Sequence, residues 1–291
     1  MKNTVNFLKT GLAVALIGTS LLSASVAHAT LANGIVDTWT VGVSGEFVAG
    51  SLVWRDGTGD VVSSTSLRWG EPAGNNGRSG LDITNPAVPS LVDTNGSAVG
   101  NMLITHINRP IWSGTGALQS VTLASTLTLT PYAPAGYPGL PSATIDFKIN
   151  FLETTNDPDS GVCADGTSRS NAVNANGCRD IFVVDKNALN FQFWYDLDGD
   201  PLNSAYQTQL YYISFFELST GLNPLPAAAC ESVLGAGNTS CMGFRTPEDA
   251  QTTVQFAALI TTDPVLVPEP GSLAILGLGL AGLYAVRRRR N

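Results

Sequence analysis

Residues 145–151 read IDFKINF, and this stretch decides the fold class. Ile145, Phe147, Ile149 and Phe151 alternate with Asp146, Lys148 and Asn150. A period of two puts the apolar set on one face of an extended chain and the polar set on the other, as in a half-buried β-strand. Three more stretches repeat the pattern. Val121, Leu123, Leu127 and Leu129 alternate with threonines 122, 126, 128 and 130. Leu189, Phe191, Phe193 and Tyr195 form a third set, and Val254, Phe256, Ala258 and Ile260 a fourth. Shorter strands are expected at 35–43, 46–54, 102–107, 181–184 and 206–218, with Ser44-Gly45 read as a small-residue turn. Gly, Pro, Asn and Asp punctuate the gaps, as at 131–141 and 156–161. No capped amphipathic helix longer than about ten residues is expected between the termini. About nine to eleven strands of this kind predict an all-β fold, an antiparallel β-sandwich or jelly-roll-like single domain over residues 30–262.

The ends of the chain read differently. Lys2 and Lys9 precede an apolar stretch that closes on Ala27-His28-Ala29. A charged start, an apolar run and an A-x-A site predict a signal peptide over 1–29, with an uncleaved anchor as the alternative. At the other end, residues 263–291 hold a linker, then Val267-Pro268-Glu269-Pro270, an apolar run over 271–286, and Arg287, Arg288, Arg289 and Arg290. The run is at the short end for a membrane span, and the arginines can snorkel to lengthen it. They also fix direction: positive charge stays cytoplasmic, so they act as a stop-transfer signal with the domain outside. A simple anchor needs no Pro-Glu-Pro. Two prolines keep that segment extended and accessible to a processing enzyme.

Removing both ends leaves 9 basic against 22 acidic side chains, a net charge of −13. That excludes a basic nucleic-acid patch. Cys163, Cys178, Cys230 and Cys241 all lie in the exported part, where disulfides are favoured. Three pairings are possible. Cys163–Cys178 and Cys230–Cys241 are preferred because each brackets one loop rich in small and polar residues. A zinc site is the alternative, but no C-x-x-C is present and histidine is nearly absent.

After residue 28 the only histidine is His106, in Thr105-His106-Ile107-Asn108. One histidine makes no His-rich metal site, and no nucleophile elbow accompanies it. It is expected to bond the backbone at a strand end. Asp196, Asp198 and Asp200 suggest weak calcium binding, but Gly199 and Pro201 do not fit an EF-hand, and a hairpin turning at Asp-Gly is preferred. Trp194 is out of phase with its strand and is expected on the opposite face. Tryptophans of that kind would serve a carbohydrate-binding module.

The tail, with its Pro-Glu-Pro, apolar run and arginine cluster, resembles the PEP-CTERM sorting signal of Gram-negative bacteria. That resemblance implies export, an exosortase-type processing enzyme as partner, and transient residence in the inner membrane. It also implies a place at the cell surface or in a biofilm matrix of extracellular polysaccharide. Thr105, His106 and Asn108 resemble the motif of the THxN family of such proteins. Leu67-Arg68-Trp69-Gly70, Ser79-Gly80-Leu81 and Gly243-Phe244-Arg245-Thr246 before Glu248 are similar to it too. That family implies no enzyme activity and no cofactor. The expectation is a structural or adhesive exported protein, with a carbohydrate-binding module and, less favoured, a secreted hydrolase as the alternatives.

Overall fold

The computed structural model describes residues 35–184, 190–197, 208–218 and 222–265. The signal peptide, the sorting motif with its arginines, Asp198 and Asp200 lie outside the described residues.

The described residues are all-β, with antiparallel sheets and one short α-helix. In order the strands are β1 (Thr38–Phe47), β2 (Val53–Arg55), β3 (Asp60–Ser63), β4 (Ser66–Trp69), β5 (Ser79–Thr84), β6 (Ser90–Asp93), β7 (Val99–Ile107) and β8 (Ala117–Ala133). There follow β9 (Ala143–Leu152), β10 (Asp180–Val184), β11 (Phe191–Tyr195), β12 (Gln209–Glu217), β13 (Asn223–Pro224), α1 (Ala227–Leu234), β14 (Met242–Thr246) and β15 (Gln251–Thr261). One sheet runs β13-β14-β10-β9-β8-β1-β6, with β2 also on β8; the other runs β11-β12-β15-β7-β5-β4-β3. A parallel bridge from Thr94, just past β6, to Ile260 of β15 ties the edge of the first sheet to the second.

The two sheets share one core. Trp39 of β1 meets Phe193, Tyr195 and Tyr211 of the other sheet edge-on, with ring centroids 5.1–5.4 Å apart. Trp39 donates from Nε1 to Thr94 Oγ1 at 3.1 Å, so its one polar atom is satisfied although the ring is fully buried. A second aromatic group fills the far end of the core: Trp69, His106, Phe151, Phe182 and Phe244. Each large side chain buried this way stabilises by about 1.5–3 kcal/mol relative to exposure.

The alternating stretches all form strands, as β8, β9, β11 and β15. The inward set of β9 keeps the predicted phase at Ile145, Ile149 and Phe151. Several expectations are corrected. The chain has more strands than the nine to eleven expected, because β3 to β6 are too short to show alternation. Ser44-Gly45 is no turn: β1 runs straight through it. A Cβ on Gly45 would meet Met102 Sδ at 2.3 Å, so glycine serves there to let the facing sheet approach. β11 and β12 pair antiparallel, from Phe191↔Ile213 to Tyr195↔Gln209; the Asp-Gly turn expected between them lies outside the described residues.

β10 reads as a continuous apolar run because both its faces are covered. Phe182 enters the main core. Ile181 and Val183 lie under α1 with Leu225, Ala229 and the Cys230–Cys241 disulfide. The second disulfide joins Cys163 to Cys178. Its loop is pinned by Asp165, a buried carboxylate that takes bonds from Arg179 at 2.7 Å and Arg245 at 2.8 Å. Burial alone would raise the Asp165 pKa. The Thr167 hydroxyl and amide and the two arginines outweigh it, and the carboxyl sits below its ordinary value.

Candidate functional site

Strand period places the Thr-His-x-Asn residues on opposite faces of β7. Thr105 points outward and pairs with Thr253 Oγ1 at 2.9 Å. His106 and Asn108 point inward and are fully buried. The Asn108 side chain donates to Thr246 O at 3.1 Å, and its amide to Ala250 O at 2.9 Å. It thereby closes this end of the core against the chain that leaves β14.

The imidazole lies nearly parallel to the Trp69 indole, with centroids 5.9 Å apart, meets Phe151 edge-on and packs tilted against Phe182. Contrary to expectation, neither ring nitrogen bonds the backbone; both are buried without a hydrogen-bond partner. Nε2 faces Asp180 Oδ2 at 3.8 Å, too far for a hydrogen bond. Burial depresses the imidazole pKa to about 3, so the ring is neutral.

Asp180 leads to two further carboxyl groups, Glu153 and Glu248, which interact electrostatically with it. Asp180, the first residue of β10, accepts from the Thr154 amide at 2.9 Å, while Thr154 Oγ1 donates to Cys178 O. Glu153, just past β9, accepts from Trp69 Nε1 at 2.9 Å. Glu248 lies in the turn from β14 to β15, against Gly177, where a Cβ would meet Asn156 Oδ1 at 2.5 Å and Glu248 Cγ at 3.0 Å. Burial raises all three pKa values: Asp180 well above its ordinary value, Glu153 to about 8 and Glu248 to about 7. Repulsion from Glu248 adds to burial for Glu153, and repulsion from Glu153 and Glu248 adds to it for Asp180. The Trp69 bond, and for Glu248 the Asp249 amide and Asn156 side chain, offset only part of it. Near neutral pH Glu153 is therefore held as a neutral acid, and burial shifts Asp180 in the same direction.

The other short motifs of the sequence meet at this cluster. Trp69 supplies the stacking face. Ser79 Oγ donates to Arg109 O at 3.0 Å and fixes the exit from β7. Phe244 stacks on Phe182 at 4.7 Å, and Thr246 receives Asn108. Gly80 leaves room for the Arg68 guanidinium, which forms a bidentate pair with Asp82 at 2.7 and 2.8 Å. Sequence reasoning missed Glu153 and Asp180. Their only signal was an acid flanking an apolar strand run.

The interior part of the cluster is sealed, with His106 at 0 % exposure. Glu153 lines a cleft of about 400 Å³, shared with Trp112, Arg55, Asp56 and Asp157. Among the described residues, no three His, Cys, Asp or Glu side chains gather as a metal-ligand set. Asp196, the one described member of the calcium candidate, accepts from Thr208 Oγ1 at 3.2 Å. Trp194 is exposed on the outer face of β11, opposite Tyr195, as its phase predicts. No helix among the described residues is long and apolar enough to cross a membrane.

β15 delivers the chain to its tail. Thr262 is held by Asn95 Oδ1 at 3.0 Å, and Val265 O accepts from Asn190 Nδ2 at 3.2 Å. No curated protein matches the chain. Residues 266–290, which begin immediately after Val265, match the PEP-CTERM protein-sorting motif. The motif supports an exported chain with a C-terminal sorting tail that an exosortase processes.

Proposed function

We propose that this is a non-enzymatic protein of the THxN group of PEP-CTERM carriers, with a structural or adhesive role at the cell surface or in an extracellular polysaccharide matrix. The observation that carries the reading is the sorting motif at residues 266–290. The signal peptide over 1–29 brings the chain to the inner membrane. The apolar run and Arg287–Arg290 halt it there, and Pro268-Glu269-Pro270 is offered to the exosortase on the outer side. The domain of residues 30–262 is then released or transferred.

The domain's build suits this setting. Two disulfides staple its loops in an oxidising compartment. The THxN assignment is supported by the convergence of Trp69, Ser79, His106, Asn108, Phe244 and Glu248 on one buried cluster. A hydrolase acting through His106 is disfavoured, because no substrate reaches a fully buried ring.

Deleting the exosortase gene in the host tests the reading. The expected result is a chain that keeps Asn291 and accumulates in the membrane fraction, with less protein in the matrix fraction. Unchanged processing and unchanged matrix content would overturn it.

A further inference from the structure

The cleft in front of Glu153 has a fixed wall on one side. Loops 56–58 and 114–116 pack backbone against backbone: a Cβ on Gly57 would lie 2.9 Å from Gly116 N, and one on Gly116 would lie 2.7 Å from Thr58 O. Both glycines also have positive φ, 139° and 91°. No side chain fits between the loops, so they hold each other in place.

Trp112 stands on this wall with its backbone fixed and its ring free. Its amide donates to Glu71 O at 2.9 Å. Its carbonyl accepts from Thr115 Oγ1 at 2.6 Å, and that hydroxyl in turn receives the Glu71 amide. Its neighbour Ile111 bridges Pro72 and fills the space above Gly70. Trp112 is nevertheless 60 % exposed. A large flat apolar face held open to solvent beside a cleft costs hydration free energy that a bound partner recovers.

The rest of the lining is largely polar. Glu153 faces it with a carboxyl oriented by Trp69 Nε1, and residues 154–157 add Thr, Thr, Asn and Asp. Arg55 is the single cation among the lining residues, against Asp56, Asp157 and Glu153. Such a lining disfavours a polyanion. One flat apolar face with many hydrogen-bonding groups around it fits a ring that has an apolar C–H face and hydroxyls at its edge. The volume is in the range of small-ligand sites.

We propose that this cleft binds a neutral glycan, with the Trp112 indole stacked on a pyranose ring and the Glu153 carboxyl bonded to its hydroxyls. The proposal deepens the surface-and-matrix reading and rests on it. It assigns the contact to Trp112 rather than to Trp194. Trp194 is as exposed, at 61 %, but stands on the outer face of β11 away from the cleft.

The test is native affinity electrophoresis of the protein recovered from its host. The gels contain hydroxyethylcellulose, laminarin, galactomannan or dextran as neutral probes, with alginate as the polyanion. Retardation by at least one neutral probe is expected, weakened about tenfold or more in Trp112→Ala and only partly in Trp112→Phe. Trp194→Ala should bind within twofold of the parent. Glu153→Gln keeps a neutral hydrogen-bonding group and should retain most of the binding. The proposal is overturned by no retardation in any neutral probe, by retardation in alginate alone, or by Trp112→Ala binding like the parent. The C-terminus of the same sample separates the two readings. A trimmed chain that is not retarded removes the glycan proposal alone. A retarded chain ending at Asn291 removes the sorting account alone.

Discussion

Raising the pH from 6 to 9 should destabilise the domain through its buried acids. Glu153 and Glu248 are raised to about 8 and about 7 in the folded chain, against an ordinary value of 4.5. As the pH rises, the unfolded chain gives up these protons first. The folded state then binds more protons than the unfolded one, and stability falls with pH until the folded groups ionise. Between pH 6 and 8 Glu153 contributes about two pH units of this loss, and Glu248 about one unit between pH 6 and 7. At about 1.4 kcal/mol per unit the two glutamates together account for about 4 kcal/mol, and Asp180, also raised, acts in the same direction. For a domain of this size that corresponds to a fall in Tm of about 8–16 °C. Tyr195 and Tyr211 are both raised above their ordinary value of 10.0, so they do not titrate in this window. His106 acts at the other limb: its pKa is lowered from 6.5 to about 3, so its contribution is complete above 6.5 and is lost as the pH falls toward 3. The assay is thermal unfolding followed by circular dichroism at pH 6, 7, 8 and 9, for the parent and for a Glu153→Gln, Glu248→Gln double variant. The double variant should lose more than half of the pH dependence. A parent Tm constant to within 2 °C across the range, or an unchanged slope in the double variant, would refute the reading of the cluster as a store of neutral acids.

Three further outcomes concern the frame around the site. Gly243→Ala puts a Cβ 1.8 Å from Phe182 O, and backbone cannot yield, so urea unfolding should show a loss of about 3 kcal/mol or more with β14 unpaired from β10. Asp165→Asn leaves Arg179 and Arg245 facing a neutral group and should cost about 3–5 kcal/mol in the same assay, with early proteolysis inside the 163–178 loop. Cys230→Ser with Cys241→Ser opens an 11-residue loop and should cost about 3 kcal/mol, read as a lowered urea midpoint in the oxidised protein.

The long strands were legible because they are half-buried. β8, β9 and β15 carry apolar residues at every second position, since one face meets the core and the other meets water. β10 broke the pattern because α1 covers its second face, and β3 left no trace because all four of its residues are exposed. Gly45 misled because glycine marks a turn as readily as a close approach between sheets, and only the facing Met102 distinguishes them. The site was legible by half. Thr105, His106 and Asn108 stood out as a motif, with Trp69, Ser79 and Glu248 in the similar short stretches. Glu153 and Asp180 did not, because each lies at the end of an ordinary strand. Only the packing of β9 and β10 against β4 and β7 brings them to the histidine. The Trp112 cleft was equally invisible, since its wall is made by two glycine turns some sixty residues apart in the chain.

The central claim is that residues 266–290 act as a sorting signal. Its most direct test is the intact mass of the protein recovered from its native host, under non-reducing and reducing conditions. The account predicts a C-terminus within Val267–Pro270, with or without an added anchor group, and a chain four daltons lighter before reduction from its two disulfides. A C-terminus at Asn291 in a host that carries the exosortase would contradict it.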